Sequence, residues 1–95
     1  MDIQTIQQKA APIFDQYHIS YAGLFGSISR HQETATSDID IMVKIDKPMG
    51  MLSYMRLINA LETALQKKVD IVTDKAINKH VKPYILKDIQ TIYEK

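Results

Sequence analysis

Residues 38–45 read Asp-Ile-Asp-Ile-Met-Val-Lys-Ile, an alternation without a break. Successive side chains of a β-strand point to opposite faces. A strand here puts Ile39, Ile41, Val43 and Ile45 on one side and Asp38, Asp40, Met42 and Lys44 on the other. The first side is a core face. The second carries two carboxylates at i and i+2, whose oxygens can converge on one small volume. At about 5 Å two unit charges repel by roughly 3 kcal/mol at an effective dielectric near 20, so the pair wants a cation or a shared proton.

Working outward, a glycine and a serine precede this strand. His18 to Phe25, HISYAGLF, is rich in aromatic and β-branched residues and stops at Gly26, as a short buried strand does. The polar loop GSISRHQETATS then leads to Asp38. Upstream, Ile3, Ile6, Ala10, Ile13, Phe14 and Tyr17 fall at helical spacing, which predicts a helix over 3–17 with a kink or break at Pro12. Downstream, a turn at Asp46 to Gly50 is followed by Leu52, Met55, Ile58, Leu61 and Leu65, the stripe of a second amphipathic helix with Met55 in the core. Met49 and Met51 fit either core filler or a partner-binding patch. Val69 to Thr73, VDIVT, reads as a third strand with Asp70 opposite Val69 and Ile71. Pro83, Ile85, Ile89 and Ile92 suggest a last helix with proline in its first turn. The order predicts an α/β domain over 1–95, with a three-stranded mixed sheet, helices packed on one face, and the other face free for a polar site.

The composition limits what such a domain does. With 95 residues there is room for one small core and none for a separate substrate domain. Hydrophobic residues make up 45% and charged ones 24%, as in an ordinary globular chain. No stretch approaches the roughly 20 apolar residues of a membrane span, and MDIQTIQQKA lacks the basic-then-apolar pattern of a secretory signal. A cytoplasmic location is expected. The chain has no cysteine, so any metal must be bound by oxygen or histidine. His18, His31 and His80 are dispersed, so each reads as structural or solvent-facing, with His31 alone close to the candidate site. The net charge of +1 comes from intermixed signs, which argues against extended nucleic-acid binding.

The residue types point to phosphate chemistry. Magnesium takes carboxylates together with phosphate oxygens and water. Asp70 from a neighbouring strand would give three carboxylates with Asp38 and Asp40, enough to bridge two ions and stabilise the entering and leaving oxygens of an in-line displacement at phosphorus. Gly26 lets the backbone turn sharply beside a phosphate, while Ser27 and the following amides donate to its oxygens. Arg30 is placed to neutralise a triphosphate tail. A calcium loop of the EF-hand type is excluded, since Met42 and Met49 occupy positions that must be ligands.

In LFGSISRHQETATSDIDIMV, the residues Gly26, Ser27, Arg30, Ser37, Asp38 and Asp40 resemble the signature of the DNA polymerase β-like nucleotidyltransferase superfamily: a glycine-serine pair, ten residues, then two aspartates separated by one. LETALQKKVDIVT resembles the family's third-carboxylate strand, which gives that role to Asp70, and YILKDIQTIYEK is similar to the closing helix of its short members, the minimal nucleotidyltransferases. His31 departs from the pattern, where a glycine often follows the arginine. The resemblance implies a magnesium-dependent transfer of AMP from ATP to a hydroxyl, typically tyrosine, of a HEPN-type ribonuclease toxin. It places metal and catalysis on Asp38, Asp40 and Asp70, and nucleotide binding on Gly26, Ser27, Arg30 and Ser37. It also implies an antitoxin that forms a hetero-oligomer with the toxin. Two other readings stay open: an antitoxin that neutralises its partner by binding alone, and a nucleotidyltransferase with a small-molecule acceptor or RNA.

Overall fold

The computed structural model describes residues 2–26 and 38–95. Helix α1 spans Ile3–Gln16. Asp2 caps it, its carboxylate accepting from the Thr5 N–H at 2.7 Å, one of the donors a helix start leaves without an internal partner. The helix runs on through Pro12, so of the kink or break expected there the break does not occur. Pro12 removes one helical donor, but it and Gln8, whose carbonyl loses that donor, are exposed, so water can replace the bond. The turn out of α1 uses His18 at φ 60°, a left-handed exit of the kind that commonly ends helices.

Strand β1 is Ile19–Phe25 and β2 is Ile39–Ile45. They pair antiparallel, bringing Phe25 opposite Asp40. Helix α2, Met51–Leu65, then carries the chain back so that β3, Val69–Thr73, runs parallel to β2. The short helix α3, Lys82–Asp88, leads into a fourth strand, β4, Gln90–Glu94, which pairs antiparallel with β1. The sheet order is β3-β2-β1-β4. The α/β class, the mixed sheet and the helical cover over one face are as anticipated; the number of strands is not.

The fourth strand corrects the closing helix expected through Ile92. Thr91, Ile92 and Tyr93 are β-branched or aromatic and fit a pleated, half-buried surface better than a helix interior. The free side of β1 offers backbone partners. Ile92 is buried, and Tyr93 packs on Phe14 with ring centroids 5.5 Å apart. The core joins Ile6, Ala10 and Phe14 of α1 and Leu57, Leu61 and Leu65 of α2 to Ala22, Leu24, Ile39, Ile41, Val43, Val69, Ile71 and Ile92 of the sheet.

Two further expectations change. The buried stripe of α2 is Leu57, Leu61 and Leu65 with Tyr54 and Ile58 partly covered, so Met55, anticipated in the core, is 52% exposed, beside Leu52 at 63% and Met51 at 75%. Met49 packs against the core edge. Met42, on the carboxylate side of β2, is buried as well. It sits between Gly23 of β1 and Val72 of β3, and Ile89 lies over Gly23. The second face of the sheet is therefore closed at its middle, with the aspartates at the end where β2 begins and the exposed Lys44, over the Tyr21 ring, at the other.

Candidate functional site

Asp40 and Asp70 are direct partners in the parallel β2–β3 ladder. Partners in a ladder project to the same face, so the alternation that sends Ile39, Ile41, Val69 and Ile71 into the core turns both carboxylates to the other side. Asp70 is exposed and Asp40 is half-buried. Asp38 stands just before β2, exposed, two residues from Asp40.

The electrostatics record this crowding. Burial raises the Asp40 carboxyl above the ordinary aspartate value, and the negative charges of Asp70 and then Asp38 raise it further. Asp70 and Asp38 thus both act on Asp40 through space, with charges of its own sign. Such a cluster attracts a cation.

Gly26, at the end of β1, completes the described part of the site. Its φ is +77°, in the left-handed region, and a Cβ there would land on the Asp40 carboxylate. The bare backbone is what lets the chain turn against Asp40. Ser27, Arg30, His31 and Ser37, the other residues singled out in the sequence, lie outside the described residues.

Among the described residues no three histidine, cysteine or carboxylate side chains stand close enough together to hold a metal ion among them. Two adjacent carboxylates with a third nearby fit an ion of another kind, one held by one or two carboxylates and completed by phosphate oxygens and water. A cavity of about 420 Å³, lined by Tyr17, His18, Lys47, Ser53 and Arg56 among others, opens at the far end of β2 from these carboxylates.

Two residues of α2 that the sequence did not single out bond to the backbone on either side of Asp70. The Tyr54 hydroxyl donates to the Ile71 carbonyl at 2.6 Å, and Glu62 accepts from the Val69 N–H at 3.0 Å. Burial, with a contribution from Asp70, holds the Tyr54 phenol above its usual value, so it stays a neutral donor. Tyr54 falls three and four residues before Leu57 and Ile58, a helical spacing that could have identified it.

Comparison with known proteins agrees with this geometry. The chain is 36% identical over 88 residues to a candidate protein adenylyltransferase of Methanocaldococcus jannaschii, an alignment covering 93% of this chain and 95% of that one. Its fold superposes with a TM-score of 0.81 on a chain from a toxin–antitoxin crystal structure with AMP-PNP, at 21% identity, covering 94% of this chain and 73% of the other. It matches with a TM-score of 0.75 a chain from the complex of a tri-AMPylated Shewanella oneidensis HEPN toxin with its MNT antitoxin, at 20% identity, covering 98% and 73%. Residues 8–95 match the family described as polymerase beta, nucleotidyltransferase. With its paired strand aspartates and glycine turn, the chain belongs to this nucleotidyltransferase family.

Proposed function

We propose that the chain transfers AMP from ATP to a hydroxyl, typically of tyrosine, on a HEPN-type ribonuclease toxin, and so acts as that toxin's antitoxin. Residues 1–95 act as one domain in this reading, in the cytoplasm, joined to the toxin in a hetero-oligomer. The observation that carries it is the pairing of Asp40 with Asp70 across β2 and β3, with Asp38 adding its charge to the same cluster. The adenylyltransferase relative supports AMP as the group moved, and the toxin–antitoxin complexes of like fold support the partner.

The acceptor oxygen forms a bond to the α-phosphorus of ATP, the bond to the bridging oxygen of the β-phosphate breaks, and pyrophosphate leaves. Asp38 and Asp40 would hold two magnesium ions and Asp70 one of them; when bound, these neutralise phosphate charge and lower the pKa of the attacking hydroxyl. In this reading Asp70 also accepts the hydroxyl proton. Gly26 brings the backbone close to the triphosphate, and Ser27, Arg30 and Ser37 bind its oxygens. Positioning and charge stabilisation account for most of the rate in such chemistry. An open, exposed site suits an acceptor that brings its own bulk.

The test incubates the purified chain with magnesium, α-labelled ATP and a HEPN-type ribonuclease offered as its partner. Label on the ribonuclease, lost with Asp40→Asn and with Asp70→Asn, is the expected result. A tight complex without label would refute transfer and leave neutralisation by binding; label on RNA or an added aminoglycoside instead would change the acceptor.

A further inference from the structure

Asp70 lies on an edge strand. In the order β3-β2-β1-β4, β3 has a strand neighbour on one side only among the described residues. The N–H and C=O of one strand residue project to the same side, and those of the next residue to the other. The Lys68 carbonyl accepts from the Ile39 N–H at 2.9 Å, so residues 68, 70 and 72 turn their backbone groups toward β2. Val69 and Ile71 therefore turn theirs outward, where no strand of the described residues meets them.

Helix α2 meets them instead. Glu62, late in the helix, accepts from the Val69 N–H, and Tyr54, in its first turn, donates to the Ile71 carbonyl. The residues immediately before and after Asp70 are thus each tied to the same helix. We infer that Tyr54 and Glu62 are positioning residues, gripping β3 on both sides of Asp70 to hold its carboxylate in register with Asp40. The inference rests on the proposed role of Asp70 as an ion ligand.

The physical need is specific to this place. Asp40 and Asp70 repel, and an edge strand can relieve the repulsion by fraying or slipping away from its single neighbour. Two side-chain bonds from a helix that is itself anchored in the core by Leu57, Leu61 and Leu65 oppose that movement. The acceptor at Val69 is a carboxylate, which makes the stronger kind of hydrogen bond. Neither side chain needs to touch the ion or the nucleotide.

The test uses the full chain with Tyr54→Phe, Glu62→Ala and Glu62→Gln, and Asp70→Asn as control. Binding of manganese with a non-hydrolysable ATP analogue is measured by electron paramagnetic resonance, amide exchange is followed in the metal-free protein, and AMP transfer is resolved into kcat and KM. Tyr54→Phe and Glu62→Ala are expected to weaken manganese binding about tenfold, the low end for groups that orient metal ligands. They are expected to lower kcat with the KM for ATP unchanged, and to speed exchange in β3 and not in β1. Glu62→Gln keeps an acceptor oxygen and is expected to recover most of the loss. Unchanged manganese affinity in both Tyr54→Phe and Glu62→Ala, with Asp70→Asn impaired, overturns the positioning role and leaves Asp70 its own. Exchange accelerated equally in β1 and β3 overturns it too, since the effect would then be general loosening. If Asp70→Asn binds manganese as the wild type does, the ligand role of Asp70 falls, and the inference with it.

Discussion

Gly26 and Asp40 share one space: where a side chain would begin on Gly26, the Asp40 carboxylate already stands. Gly26→Ala adds a left-handed backbone penalty of about 1–2 kcal/mol to that collision. The variant is expected to unfold at correspondingly lower urea and to lose at least tenfold in AMP transfer, because relief comes by moving Asp40. Wild-type transfer rates in a folded Gly26→Ala protein would refute the close approach.

Asp40 makes the metal-free protein less stable as pH rises. Its folded pKa is raised, so between the unfolded value near 3.8 and the higher folded value the unfolded chain releases its proton first. Above that window the ionised group is a standing cost. Asp40→Asn is therefore expected to raise the melting temperature of metal-free protein at pH 7 and to change it little at pH 3. Added magnesium and ATP should stabilise the wild type more than the variant. A lower melting temperature for the variant at pH 7 without metal would contradict the sign.

Asp2 works in the opposite sense. Hydrogen bonds from the Thr5 side chain and backbone hold its carboxyl below the usual value. It stabilises the fold above pH 3.8, and the contribution fades as pH falls through its lowered folded value. Asp2→Ala should melt earlier at pH 7, by a margin that shrinks in acid. Thermal melts across that range, matched to Asp40→Asn, separate the two carboxylates by sign alone.

The place of β4 and the exposed start of α2 give contrasting stability effects. Ile92→Ala removes a fully enclosed side chain and is expected to cost about 2–4 kcal/mol in urea unfolding. Leu52→Ser and Met55→Ser, on an exposed face, should stay within about 0.5 kcal/mol. Equal losses at Ile92 and Met55 would restore the stripe first read from the sequence.

What the sequence revealed best was the carboxylate strand and its partner. Period-two alternation in DIDIMVKI and VDIVT needs no tertiary context to assign faces, so Asp38, Asp40 and Asp70 were placed before any contact was known. The glycine turn was equally legible, since few other residues accept its φ. Elements decided by their neighbours were harder to read. Ile85, Ile89 and Ile92 fit a helical period, yet the unpaired side of β1 draws residues 90–94 into the sheet. Met55 and Tyr54 both offered a helical stripe, and only docking on the core chose Tyr54. Met42 shares the face of β2 that carries the carboxylates, and its burial was not legible because alternation alone does not report what lies above that face.

The parallel register has a consequence in time. Asp40 and Asp70 are thirty positions apart, with all of α2 between them, so a long loop must close before their ladder gains anything. The same step brings two like charges side by side. Refolding is thus expected to reach this register late and against its own electrostatics, so that divalent cations quicken the final phase more than the earlier ones.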